Sequence, residues 1–303
     1  MNRLQVWFLT ALALLAFAGN SVLCRLALMD GLMDPAGFTL WRLGSGVLVL
    51  LLLVGLRRSA VHPTESRGIF SATQPRQLMM GSLALFVYMA GFSWAYVQLT
   101  TGAGALVLFG SVQLTLMALA RISGQRLKIT EYLGALLAFL GLLYLLLPAW
   151  GTPTVFNFAL MALAGIAWGC YTRLGQTSDT PLATTTVYFI GTLPLVLLLV
   201  WFRFEPAAWS QQGVLLAITS GALTSAVGYA IWYWVLPALS TMQAGVLQLL
   251  VPLLAALGGV LFAAEALTMR MALAAVMILG GLWVVTRSRA DRKSGVVEMH
   301  SVD

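Results

Sequence analysis

The feature that most limits what this chain can become is a succession of apolar runs, each about 20 residues long and nearly free of charge. A helix needs roughly 20 mostly apolar residues to cross the hydrocarbon of a bilayer. Runs of that kind stand near 4–29, 36–56, 77–98, 101–121, 130–148, 153–172, 182–203, 211–236, 240–262 and 267–286. Short connections separate them, marked by turn signals such as Asp34-Pro35, Pro148, Gly151-Thr152-Pro153 and Pro206. One longer connection, from Arg57 to Arg76, holds Ser, Thr, Pro and Arg. A soluble domain carries about 25% charged residues; this chain carries 9%, with 60% hydrophobic and a mean hydropathy of +0.91. A soluble core has no room for so much apolar surface. The lipid bilayer is therefore a partner of the chain, and the expected fold class is an all-α integral membrane protein of ten transmembrane helices.

Charge gives orientation. The net charge of +7 would suit nucleic acid if it formed a patch. Instead the basic residues cluster in alternate connections, the mark of membrane orientation, and nucleic acid is not an expected partner. One side receives Arg3, the group from Arg57 to Arg76, then Arg121, Arg126 and Lys128, then Arg173, then Arg287 to Lys293; the opposite connections receive only Arg203 and Arg270. Both termini are thus expected in the cytoplasm, with the chain in the inner membrane. Ala16-Phe17-Ala18 before Gly19 has the form of a signal-peptide cleavage site, but the apolar run continues to Leu28, so the segment is expected to be retained. Cys24 and Cys170 both lie in apolar runs with no CxxC or Cys/His cluster, which argues against disulfides and structural zinc.

An internal repeat is visible. Residues 101–147 align with 240–286 without a gap: Ala105 meets Ala244, Val112 meets Val251, and Phe139-Leu140-Gly141 meets Ile278-Leu279-Gly280. Ala16-Phe17-Ala18-Gly19 with Cys24 likewise falls on Ala162-Leu163-Ala164-Gly165 with Cys170. The expected units are a first five-helix repeat over 1–150, a second over 151–290, and a polar cytoplasmic tail over 291–303. Five is odd, so the halves enter the membrane in opposite senses. Such inverted repeats belong to carriers whose site lies near the midplane between the halves.

The second half has Pro252 in helix nine, Glu265 at its end and Gly280-Gly281 in helix ten, a pattern that resembles the EamA-type members of the drug/metabolite transporter superfamily. Gly19-Asn20 and Arg42 are similar to family tendencies as well. The first half departs from the pattern, with Gln113 where Pro252 stands and Arg126 where Glu265 stands. Within the family, the aromatic-rich helices most resemble bacterial exporters of aromatic amino acids. The resemblance implies a transporter, with amino acids as the first substrate class to test.

Candidate substrate-binding residues come from two sources. Polar groups at depth are costly in hydrocarbon, which singles out Asn20, Gln113, Gln248 and Ser111, each with a helix–helix hydrogen bond as the alternative role. Arg42 offers a fork for a carboxylate; the alternatives are snorkelling or pairing with Asp30 or Asp34. Aromatic residues at helical spacing form faces: Tyr88, Phe92 and Tyr96; Tyr229, Trp232 and Tyr233; Trp168 and Tyr171. They suit either a cavity wall or an interfacial belt, the belt being expected for Tyr96, Trp150 and Trp234 near helix ends. Pro194 and Pro252 are candidate hinges. Gly165-x3-Gly169 and Gly221-x3-Ser225 should allow close helix packing.

Every acidic residue falls in a connection, in the tail or, for Glu131 and Glu265, at a helix end; His62 and His300 lie outside the spans. Proton relays use such groups within helices, so obligatory proton coupling is not expected. No catalytic set, cofactor or metal site is expected either. The reading is an exporter of amino acids or similar small amphipathic metabolites by alternating access, taken as a monomer with a small-molecule substrate. The alternatives are a carrier of another solute class, such as a nucleobase, vitamin or drug-like cation, and a membrane-embedded enzyme.

Overall fold

A computed structural model describes residues 2–60, 74–125, 127–147, 154–175, 178, 180–203, 209–235, 238–239 and 247–300. Among the described residues the chain is all-helical, without strands. The helices are α1 (Arg3–Leu28), α2 (Pro35–Ala60), α3 (Pro75–Tyr96), α4 (Thr101–Ile122), α5 (Ile129–Leu146), α6 (Thr154–Gly175), α7 (Pro181–Arg203), α8 (Gln211–Val235), α9 (Leu250–Phe262) and α10 (Met269–His300). The first eight are long and apolar enough to cross a membrane. The two expected after them appear as shorter apolar helices, Leu250–Phe262 and Met269–Val285, because 240–246 lies outside the described residues and α10 turns polar after Val285. Trp150, Arg126, Pro148, Pro206 and the segment 151–153 also lie outside them.

Local chemistry starts the helices where the sequence changes character. Asn2 and Gln5 exchange side-chain and backbone hydrogen bonds of 2.8 and 3.1 Å at the start of α1. Asp34 accepts from the Ala36 and Gly37 amides, each at 2.9 Å, and Ser210 accepts from the Gly213 amide at 3.0 Å. Proline opens α2, α3 and α7, a position where its missing N–H costs nothing. Large apolar residues cover the outside, Trp201 being 82% exposed, while Asn20, Thr39, Arg42, Ser93 and Thr192 are buried. Apolar outside and polar inside is the arrangement that suits lipid.

The helices pair reciprocally. α3 packs on α6 and α1 on α8; α4 packs on α6 and α1 on α9; α3 packs on α7 and α2 on α8. α2 also meets α7, α4 meets α9 and α5 meets α10. Small residues set the closest approaches. A Cβ on Gly165 would press on Leu108 and Ser111, and one on Gly169 on Thr115, so α6 lies tight against α4 through the glycines expected to do this. A Cβ on Gly221 would collide with the Arg42 carbonyl and the Ser45 hydroxyl, which locks α8 onto α2.

α8 is not a uniform α-helix. Ser220–Val227 is π-helical, between α-helical Gln211–Thr219 and Gly228–Val235. A π segment adds a residue to the turn and re-aims the side chains around it, and such segments concentrate at functional sites. This one carries Ser220, Thr224 and Ser225 on a buried face.

Candidate functional site

Arg42 of α2 is wholly buried. Its Nη2 donates to the Tyr88 hydroxyl of α3 at 3.0 Å, and its Nε donates to the Ser225 hydroxyl of the π segment at 3.3 Å. Its Nη1 is buried and has no hydrogen-bond partner among the described residues. The guanidinium carbon sits 5.0 Å from the centre of the Phe92 ring and 5.3 Å from that of Tyr88, within cation–π range. The sequence offered Asp30 or Asp34 as its partner, and neither is. Asp34 caps α2 and accepts from the Trp209 indole, and Asp30 is exposed.

Asn20 of α1 joins the same cluster. Its Nδ2 donates to the Tyr88 hydroxyl at 3.5 Å, while its Oδ1 accepts from Ser220 at 2.7 Å and Thr224 at 3.4 Å. Helices α1, α2 and α3 thus meet around one tyrosine oxygen, and the π segment of α8 joins them through Asn20 Oδ1 and Arg42 Nε. Ser220, Thr224 and Ser225 were not singled out as ligands by the sequence; the signal available was the run of small polar residues through Ser220, Thr224 and Ser225 inside an apolar span.

An aromatic layer lies beside the polar cluster. Trp168 of α6 is half-buried and contacts Tyr88 at 4.6 Å, Tyr171 at 5.0 Å and Tyr229 at 5.3 Å between ring centres. Tyr229 continues to Phe17 at 5.8 Å and Phe189 at 6.3 Å, and Phe92 lies 5.5 Å from Tyr88. Trp232 packs at 5.9 Å on Phe17, in a second apolar cluster with Val251 and Ala255, and Tyr233 is half-buried one turn beyond Tyr229. Gln113 and Gln248 are half-buried on α4 and just before α9, and no described contact ties either to Arg42. Pro194 is exposed within α7; Pro252 is buried in the first turn of α9. A cavity between α4 and α5, lined by Met117, Arg121, Leu127 and Tyr132 among others, touches none of these residues.

Tyr96 corrects an expectation. Its place near the end of α3 suggested an interfacial belt, yet it is wholly buried and its hydroxyl donates to the Thr101 carbonyl at 3.2 Å. The covering is an ionic clasp. Arg25 of α1 pairs with Glu265, just before α10, at 3.0 Å, and its Nη1 donates to the Tyr96 and Val97 carbonyls at 3.0 and 2.8 Å. The second Glu265 oxygen accepts from the Thr101 amide at 2.7 Å. Ala264, at φ +50°, turns the chain so that Glu265 reaches this point, and a Cβ on Gly259 would collide with the carboxylate. Nearby, the Ser210 amide donates to the Leu32 carbonyl at 2.9 Å. These bonds tie the end of α1 to the connections α3–α4 and α9–α10, and the connection α1–α2 to α7–α8. Trp234, also assigned to a belt, is 67% exposed.

The chain is related along nearly its whole length to other proteins. An uncharacterized protein of Pseudomonas aeruginosa is 45% identical over 284 residues, 94% of this chain and 95% of its own. The model of the EamA-like transporter family matches residues 155–287. The chain belongs to the EamA-like transporter family. Among other EamA relatives, an uncharacterized transporter of Archaeoglobus fulgidus is 25% identical, over 71% of this chain and 78% of its own. A "Probable amino-acid metabolite efflux pump" of Escherichia coli is also 25% identical, over 86% of this chain and 93% of its own. A crystal structure matches the fold with a TM-score of 0.62 at 22% identity, over 94% of this chain and 98% of that one. This EamA chain is thus a multi-pass membrane protein of a transporter family, and its Arg42 cluster stands between helices of both halves.

Proposed function

We propose that this protein is a carrier that exports amino acids or similar small amphipathic metabolites across the inner membrane by alternating access. The observation that carries the reading is the Arg42–Tyr88–Asn20 cluster, a buried polar centre fed by α1, α2, α3 and α8 and flanked by Trp168 and Tyr229. A polar anchor beside an aromatic wall matches a solute with one polar end and one apolar end. Gln113, Trp232, Tyr233 and Gln248 extend that path, and Pro194 and Pro252 are its hinges. The name of the Escherichia coli relative supports the amino-acid class.

Ten spans in two inverted repeats, 1–150 and 151–290, underlie the mechanism. Support comes from the reciprocal pairing of α3 on α6 with α1 on α8, and of α4 on α6 with α1 on α9, as a two-fold relation between the halves requires. It comes also from the clasp, since a ten-span chain with both termini cytoplasmic puts the connections α1–α2, α3–α4, α7–α8 and α9–α10 on the outer side together. Repeats of opposite sense give a carrier its two access states.

Substrate moves down its own gradient without obligatory proton coupling. Glu265 is held in an ion pair at a helix end, and Glu131 accepts from the Lys128 amide at 2.7 Å at the start of α5, so neither sits along the path through Arg42. A drug-like cation is disfavoured by the Arg42 charge, and a carrier needs no catalytic set. Uptake of labelled phenylalanine, tryptophan, methionine and threonine into proteoliposomes, with a nucleobase as contrast and no ion gradient, tests the whole reading. Saturable amino-acid entry absent from empty vesicles is expected. Entry of none of them, with or without a proton gradient, removes the amino-acid assignment, and accumulation driven only by a proton gradient removes the uncoupled mechanism.

A further inference from the structure

Resting on the carrier reading above, we infer that the site selects its substrate by a carboxylate group, bound between Arg42 and Tyr88, and that the ammonium group of an amino acid contributes nothing to recognition. The argument begins with hydrogens that have no acceptor. A guanidinium has five N–H donors and stays charged in proteins. In Arg42 the Nε and Nη2 atoms have partners, at 3.3 and 3.0 Å, and the buried Nη1 has none among the described residues. The Tyr88 hydroxyl oxygen already accepts twice, from Arg42 Nη2 at 3.0 Å and from Asn20 Nδ2 at 3.5 Å. With both lone pairs engaged, its own O–H is left to donate, and no described residue accepts from it. Two donors of one cluster, one of them ionic, lack acceptors at the same place. A carboxylate supplies two acceptor oxygens in one plane and a negative charge, which is what an arginine fork binds best.

Charge completes the case. A buried cation is costly unless it is paired. The ring faces of Phe92 and Tyr88 offset part of that cost, yet the one ion pair among the described residues is Arg25 with Glu265. A negatively charged ligand is therefore the missing partner of Arg42. The reverse holds for an ammonium. Of the carboxylates on helices α1 to α9 and their described connections, Glu265 is spent on Arg25 and Thr101, Asp34 on the start of α2 and Trp209, Glu131 on Lys128, and Asp30 is exposed. An α-ammonium, fixed within a few atoms of the carboxylate, has no described carboxylate to pair with, and what the ring faces and the neutral oxygens of the cluster offer it is offset by the like charge of Arg42. The best ligand on this chemistry is a carboxylate anion with a planar or apolar body that stacks on Trp168 and Tyr229; an amine without a carboxylate is excluded.

Thermal unfolding of the purified full chain in detergent, titrated with 3-phenylpropionate, phenylalanine and phenethylamine, tests this directly. Phenylpropionate is expected to stabilise the protein at concentrations equal to or below those needed for phenylalanine, and phenethylamine to leave it unchanged. Arg42→Gln should abolish the phenylpropionate effect, and Tyr88→Phe, which keeps the ring, should weaken it by about 10-fold, the worth of one hydrogen bond to a charged group. Gln keeps N–H donors in place of the guanidinium, and Tyr88→Phe is the second variant should Arg42→Gln fail to fold. Stabilisation by phenethylamine, phenylalanine binding more than about 10-fold tighter than phenylpropionate, an undiminished effect in Arg42→Gln, or no effect of any of the three compounds would overturn the inference. Carboxylate binding without uptake of the same compound into proteoliposomes would leave the inference standing and remove the carrier reading instead.

Discussion

The clasp around Arg25 makes a quantitative prediction. On the proposed alternating access, the end that the clasp closes must open, and Arg25–Glu265 is what must break. The two side chains are 15% and 10% exposed, so solvent screens the pair only weakly. In Glu265→Gln the amide oxygen can keep the Thr101 amide bond, now 2.7 Å, but an amide N–H₂ then faces Arg25 Nε, donor against donor. Arg25 retains the Tyr96 and Val97 carbonyls, which limits the damage. Loss of one charge-assisted hydrogen bond, about 1.5–3 kcal/mol, is the appropriate charge for the change. Taking about 2 kcal/mol, the open population rises roughly 30-fold. Cys24, the residue before Arg25, is wholly buried and free, which makes it the reporter. In a Cys170→Ala background, the rate of Cys24 alkylation by N-ethylmaleimide in detergent should rise by about that factor, since labelling follows the open population when reclosing outpaces the reagent. A monodisperse gel-filtration peak guards against global unfolding. A labelling rate within about two-fold of the parent would refute the claim that this pair holds the end shut.

Three further outcomes are expected. Deleting Leu223, which is exposed within the π segment, should convert Ser220–Val227 to regular α-helix with the flanking turns kept in register, so that Ser220 and Thr224 no longer reach Asn20 while Ser225 reaches Arg42, lowering uptake while circular dichroism stays helical. Gly221→Ala should lower the unfolding midpoint in detergent, by an overpacking cost of about 1–3 kcal/mol, because its Cβ meets the Arg42 carbonyl, which is backbone; Gly44→Ala, with open space around it, is the control. Ala264→Gly should raise the midpoint slightly, by about 0.5–1 kcal/mol once the greater freedom of unfolded glycine is subtracted from the relief of a left-handed alanine.

The fold class was legible because its cause is local. Each apolar run declares itself within its own 20 residues, and the small residues that let helices touch, such as Gly165 and Gly169 against α4, carry a spacing that any helix would read the same way. The site was half legible for the same reason. Arg42, Asn20 and Tyr88 stand out one by one, as polar groups in a solvent that cannot satisfy them. Their partners do not, because partners are set by which helices pack, and that is a property of the whole bundle. Proximity in sequence pointed Arg42 to Asp30 or Asp34; the fold instead gives it Tyr88, 46 positions away, and Ser225, 183 away. Arg25 finds Glu265 across 240 positions. The same long-range pairing took Tyr96 out of the interface, since a residue near a helix end counts as interfacial only if no other connection folds over it, and here Thr101, Arg25 and Glu265 do. The π segment left a fainter trace: three small hydroxyl residues within eight, too few to fix helix geometry, yet placed where a turn with an added residue brings Ser220 and Thr224 to Asn20 and Ser225 to Arg42. Sequence identifies the groups that lipid will not tolerate alone. The pairing of helices decides which of them are silenced by one another and which, like Arg42 Nη1, are left for something else to meet.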